Sequence, residues 1–131
     1  MEEYRYMKAL LIDDNEIDNF INKKLLLKTK FASDIVERKS ASSALEYLKS
    51  VVSEPEKIRD VIFLDIMMPV MDGFDFLDEY DLLPETIKGH SRIIMLSSTE
   101  SFKDLNRANS NKYVYKFLNK PLTEMVLAAI Q

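Results

Sequence analysis

The chain has 131 residues, 47% of them hydrophobic and 31% charged, with a net charge of −4 and an isoelectric point near 5.1. These values exclude a disordered polymer and count against nucleic acid as a direct partner. With no cysteine there is neither a disulfide nor a thiolate metal site, and no apolar run approaches the roughly 18 residues of a membrane span. The length predicts one domain over 1–131, long enough to bury about 68% of the unfolded chain's surface. Two glycines and four prolines leave no flexible linker, and no repeat or low-complexity tract is present. The start, Met1-Glu2-Glu3-Tyr4-Arg5-Tyr6, is too polar for a signal peptide, so a cytoplasmic protein is expected.

In chain order, an apolar strand is predicted over 6–12, where Ala9-Leu10-Leu11-Ile12 stops abruptly at Asp13-Asp14. A helix follows from Glu16 to Lys28, its periodicity placing Ile17, Phe20, Ile21 and Leu25 on one inward face. The next strand, 34–38, is the polar run Asp34-Ile35-Val36-Glu37-Arg38, which suits a sheet edge. Ser40 to Val52 reads as a helix with Ser40 as N-cap and Ala41, Ala44, Leu45, Leu48 and Val52 inward. A strand over 60–65 is apolar until it ends on Asp65. Phe74 and Leu77 support a helix over 73–82, followed by a strand over 92–97. Phe102, Leu105 and Ala108 support a helix over 100–109, then a strand over 113–118. The last helix begins near Thr123 and carries Val126, Ala129 and Ile130 inward.

Five strand–helix units in succession predict an α/β fold: a doubly wound, five-stranded parallel sheet with helices on both faces. Leu10-Leu11-Ile12, Val61-Ile62-Phe63-Leu64 and Ile93-Ile94-Met95-Leu96 do not alternate with polar residues, as befits strands covered on both sides. Ligands of such folds bind at the carboxyl ends of the strands, near the switch in strand order. An order of 2-1-3-4-5, the flavodoxin-like arrangement, makes strands 1 and 3 neighbours, so Asp13, Asp14 and Asp65 share one rim.

Three carboxylates on one rim repel. At ~4 Å and an effective dielectric near 20, each pair costs about 4 kcal/mol, so a cation belongs between them. Mg²⁺ takes one or two carboxylates, several waters and a phosphate oxygen. An aspartate is also a nucleophile able to form an aspartyl phosphate, and phosphoryl transfer then asks mainly for positioning and nearby cations. The fourth strand ends at Ser97 and the fifth at Asn119-Lys120-Pro121, adding a hydroxyl and an ammonium to the same rim. Taken singly, an Asp or Ser after a strand is more often a cap or turn residue, and a Lys there is usually solvated. Chance rarely supplies all four strand ends together.

With these residues assembled, the chain resembles the receiver domain of two-component response regulators, the CheY-like proteins, over essentially its whole length. The most specific stretch is Leu64-Asp65-Ile66-Met67-Met68-Pro69-Val70-Met71-Asp72-Gly73. The resemblance implies that Asp65 is the phosphoacceptor and that Mg²⁺ is held by Asp13, Asp14, Asp65 and the backbone carbonyl of Met67. It implies that Ser97 and Lys120 bind the phosphoryl group, that Phe117 is the switch aromatic, and that the Lys120–Pro121 peptide is cis. It implies a sensor histidine kinase or histidine phosphotransfer protein as donor and a downstream protein target. In that scheme Ser97 moves inward, Phe117 follows, and the surface over 100–130 changes. With the chain ending after its fifth helix, an attached output domain is not expected.

Several positions depart from the family's pattern. Phe117 stands where Tyr is more frequent, which removes a hydroxyl. Ser97 stands for the commoner Thr, which loosens the rotamer. The turn before the fifth strand reads Asn109-Ser110-Asn111 instead of containing glycine, and Asn tolerates left-handed geometry. Val52 to Asp60 and Leu82 to Ser91 are long, the latter holding Pro84, Gly89 and the one histidine, His90, which reads as a surface loop residue. The last helix is short. Other classes fit less well. A flavodoxin needs a hydroxyl- and glycine-rich loop where this chain has Asp13-Asp14-Asn15-Glu16. An aspartate-nucleophile phosphatase wants an acid two residues past its nucleophile, where Met67 stands. A calcium loop starting at Asp13 meets Ile17 at a ligand position and lacks its glycine. A receiver-shaped interaction module that is never phosphorylated has no need of the acids and Lys120.

Overall fold

Five strands form the sheet: β1 (Tyr6–Ile12), β2 (Ala32–Arg38), β3 (Val61–Asp65), β4 (Arg92–Ser97) and β5 (Val114–Asn119). Among the described residues six helices accompany them: α1 (Glu16–Lys28), α2 (Ala41–Ser50), α3 (Gly73–Tyr80), α4 (Glu85–Lys88), α5 (Phe102–Asn109) and α6 (Glu124–Ala129). The computed structural model describes residues 4–99 and 101–130. Met1 to Glu3, part of the polar start that argues against a signal peptide, and Glu100, the expected first residue of a helix, lie outside that range.

All strand pairings are parallel and the order is β2-β1-β3-β4-β5, as the apolar runs imply. Successive side chains point to opposite faces, so each buried strand feeds two cores. Leu10, Ile12, Ile62, Leu64, Ile93 and Met95 join Ala44, Leu48, Phe76 and Leu77 of α2 and α3 on one face. Ala9, Leu11, Val61, Phe63, Ile94 and Leu96 join Leu26, Leu127 and Ile130 on the other. The polar β2 is an edge strand. Ser40 caps α2 by accepting from the Ser43 amide at 3.1 Å.

Of the predicted inward face of α1, Leu25 packs against the core and the other three residues do not. Ile17, Phe20 and Ile21 are 68%, 56% and 55% exposed, while Asn19 and Leu26 are buried. The amide of Asn19 donates to the Asp13 carbonyl at 3.0 Å and reaches the Arg38 carbonyl at 3.5 Å. This polar tie to the ends of β1 and β2 sets the helix's rotation in place of its apolar stripe. Phe102 is likewise exposed, because α5 docks through Ala108. In α6, Ala129 faces out and Leu127 takes the inward position.

The two long segments are packed. Pro55–Lys57 forms a single 3₁₀ turn that brings Ile58 and Arg59 inward, and α4 buries Ile87 beside Leu83. His90 is exposed, its Nε2 2.7 Å from Asp60 Oδ1. The turn before β5 does not use the left-handed geometry expected of its asparagines. It closes through Ser110 N to the Asn106 carbonyl (3.1 Å) and Asn111 N to the Ala108 carbonyl (3.0 Å). Among the described non-glycine residues, positive φ occurs instead at Lys30 (57°) and Val70 (70°).

Candidate functional site

β1 lies beside β3 with Ile12 opposite Leu64, so Asp13 and Asp65 emerge side by side at the carboxyl edge. Both are buried, at 3% and 4% exposure, whereas Asp14 is exposed. Oxygens of Asp13, Asp14 and Asp65 lie within 4.8 Å of one another. One oxygen of Asp13 is fixed locally, accepting from the Asn15 amide at 2.9 Å. Asn15 also caps α1, its side chain accepting from the amides of Ile17 and Asp18.

β5 delivers Lys120, whose amide donates to the Ser97 carbonyl at 2.7 Å. Its Nζ is 2.8 Å from Asp13 Oδ2, 3.3 Å from Asp65 Oδ1 and 3.4 Å from Asp18 Oδ2. The Lys120–Pro121 peptide is cis. Ser97 is buried; its hydroxyl donates to the Thr99 carbonyl at 2.7 Å and accepts from the Thr99 amide at 3.2 Å. Phe117 is half-buried and lines a groove of 280 Å³ with Ser101, Phe102, Leu105 and Asn119. Met67 sits on the exposed loop after β3.

The electrostatics are those of a site with surplus negative charge. Burial, and then the charge of Asp13, push the Asp65 carboxyl up to about 6; Lys120 opposes this and Asp14 adds to it. Burial alone pulls the Lys120 ammonium down, yet its bonds to Asp13 and Asp65 and their charges hold it above the usual lysine range. One ammonium therefore does not satisfy three acids. An all-oxygen donor set with leftover charge suits a hard divalent cation such as Mg²⁺.

Gly73 and Asp18 were not singled out from the sequence, beyond Gly73's place in the signature stretch. Gly73 donates its amide to the Ile66 carbonyl at 2.9 Å. A Cβ there would meet the Asp65 carbonyl oxygen at 2.9 Å and the Ile66 Cα at 3.0 Å, so only glycine lets α3 start against the end of β3. A glycine opening an apolar helix was the available signal. Asp18 had no such marker: an acid in a helix's first turn ordinarily reads as a favourable dipole partner.

A parallel sheet carrying acids, a hydroxyl and an ammonium on one edge defines a class of phosphate-handling α/β proteins. Within that class, the chain belongs to the response regulator receiver domain family, whose model matches residues 9–130. It is a receiver domain of two-component signalling, and its acidic cluster is consistent with that family's magnesium and phosphorylation site. Among solved structures it resembles a two-component response regulator from Cytophaga hutchinsonii (27% identity, TM-score 0.88), covering 95% of this chain and 93% of that one. It also resembles a response regulator receiver protein from Dyadobacter fermentans (34% identity, TM-score 0.82), covering 92% and 91%. Stress response regulator protein 1 of Meyerozyma guilliermondii is 41% identical over 73 residues, 56% of this chain but 30% of that protein's length. Among the described residues no helix is long and apolar enough to cross a membrane.

Proposed function

We propose that residues 1–131 act as one cytoplasmic receiver unit that accepts a phosphoryl group on Asp65 from a phosphohistidine of a sensor kinase or histidine phosphotransfer protein. The observation that supports this best is the convergence of Asp13, Asp65 and Lys120, from three different strand ends, within one set of ion-pair contacts. An Asp65 carboxylate oxygen attacks phosphorus. The new O–P bond forms as the donor's P–N bond breaks, its electron pair passing to the imidazole nitrogen. Asp13, Asp14, Asp65 and the Met67 carbonyl would hold Mg²⁺, which supplies Lewis-acid neutralisation of the phosphoryl oxygens. Lys120 neutralises another oxygen, its ammonium already placed 3.3 Å from Asp65 Oδ1.

Ser97 then exchanges its bond to the Thr99 carbonyl for one to the phosphoryl group. Phe117 turns toward the space so vacated and alters the groove beside α5. The differential contacts of Ser97 and Lys120 with the phosphoryl group drive the shift. The signal passes to a protein target or onward by phosphotransfer, and the net charge of −4 favours a protein over nucleic acid as that target. The chain itself is a phosphoacceptor, with at most self-phosphorylation from small donors and self-dephosphorylation as its own chemistry.

Incubation with acetyl phosphate and Mg²⁺ tests this. A mass increase of about 80 Da, one phosphoryl group, is expected in the wild type and absent in Asp65→Asn. A wild-type chain that stays unmodified with metal and donor present overturns the assignment.

A further inference from the structure

Lys120 Nζ has three carboxylate neighbours, and they differ in kind. Asp13 (2.8 Å) and Asp65 (3.3 Å) belong to the acidic cluster, whereas Asp18 (3.4 Å) does not. Asp18 stands on the first turn of α1, its amide held by the Asn15 side chain at 3.1 Å. The same Asn15 donates its backbone amide to Asp13 at 2.9 Å. One helix cap therefore fixes where Asp18 stands relative to the cluster.

We propose that Asp18 is a positioning residue for Lys120, keeping its ammonium over the pocket once Asp13 and Asp65 are engaged by a divalent cation and a phosphoryl group. This rests on the receiver reading above. An ammonium has three donors; here Nζ donates to Asp13 and Asp18 and forms an ion pair with Asp65. When a divalent cation draws on the oxygens of Asp13 and Asp65, Lys120 loses much of their attraction and feels the cation's repulsion. Its stem is flexible and strongly hydrated at the tip, and its side chain is already 18% exposed, so the way out to solvent is open. Asp18 lies outside the cluster and keeps its charge for the lysine. The ammonium then stays near Asp65, turned partly toward α1, when the phosphoryl oxygens need it.

The test compares Asp18→Asn and Asp18→Glu, each alone and combined with Lys120→Ala, by two readouts. The first is acetylation of Lys120 by acetic anhydride, read by peptide mass mapping against exposed lysines. Asp18→Asn is expected to raise it about threefold in Mg²⁺, the scale of a partly exposed ion pair, with little change in EDTA, where Asp13 and Asp65 still hold the ammonium. Asp18→Glu restores the wild-type rate. The second is the rate of Asp65 phosphorylation by acetyl phosphate. Asp18→Asn is expected to slow it by a similar factor when Lys120 is present and to leave it unchanged in Lys120→Ala, the non-additivity of a residue acting through its partner.

Equal Lys120 acetylation in Mg²⁺ with and without Asp18 overturns the proposal. So does an equal slowing in the Lys120→Ala background, and so does faster phosphorylation of Asp18→Asn, which would make Asp18 a competitor for the ammonium. If the wild type takes no phosphate from acetyl phosphate, the receiver reading falls, and the acetylation readout still decides whether Asp18 holds Lys120.

Discussion

Val70 shows what the loop next to Asp65 costs. Its φ of 70° lies in a region that β-branched residues avoid, and Met71 N donates back to the Pro69 carbonyl at 2.8 Å, a two-residue closure around Val70. Tight turns of that hand are strained. The side chain is fully exposed and contributes no burial in return. Val70→Gly, which takes positive φ without a steric penalty, is therefore expected to stabilise the fold by about 1 kcal/mol. Urea denaturation would show this as a higher midpoint at unchanged slope. Val70→Ile, equally branched, should show no gain; a gain there would mean that exposure, not backbone conformation, governs the position.

At the scale of elements, the site depends on how α3 meets β3. Asp72 and Asp75 form a reciprocal capping box, and Gly73 sets the helix start against the Asp65 backbone. Of the neighbours a Cβ would strike, the Met95 methyl at 3.1 Å is a flexible tip, but the Asp65 oxygen and Ile66 Cα are main chain. Gly73→Ala should therefore push α3 off the strand end, costing about 1–3 kcal/mol as overpacking does. It should also weaken Mg²⁺ binding by moving Asp65. A calorimetric titration that found metal affinity unchanged in Gly73→Ala would separate helix placement from the site.

The strand ends were legible in the sequence because each apolar run stops on the polar residue that reaches the rim: Ile12 before Asp13, Leu64 before Asp65, Leu96 before Ser97. The rotation of α1 was not. Apolar periodicity predicted Ile17, Phe20 and Ile21 inward, but a helix can also be oriented by one buried amide, and nothing in the spacing marks Asn19 as that residue. Arg59 is a second case. A lysine or arginine is almost never fully buried unless paired, and its partner Asp34, at 3.1 Å, lies far away in sequence on the edge strand.

For the molecule as a whole, the acidic site sets stability against function, and pH exposes the balance. Asp65 is raised from 3.8 in the unfolded chain to about 6 in the fold, chiefly by burial and the Asp13 charge. A carboxyl raised in this way favours the folded state while protonated. Its contribution is full below pH 3.8 and is lost as the pH rises through about 6. At neutral pH the metal-free protein thus carries a penalty on the order of 3 kcal/mol at Asp65. Asp65→Asn cannot ionise, so in EDTA it should be the more stable protein at pH 7.5, with its advantage shrinking toward zero near pH 4. Measuring the difference between the two proteins cancels the other titrating groups. Mg²⁺ should relieve the same repulsion in the wild type. At ten times its dissociation constant it should add about 1.4 kcal/mol, and Asp65→Asn, lacking one of the acids, should gain less. Parallel urea curves for the two proteins from pH 4.5 to 7.5, with and without Mg²⁺, carry both comparisons. A difference between the proteins that does not grow with pH in EDTA would mean that Lys120 already neutralises the cluster and that no further cation is called for.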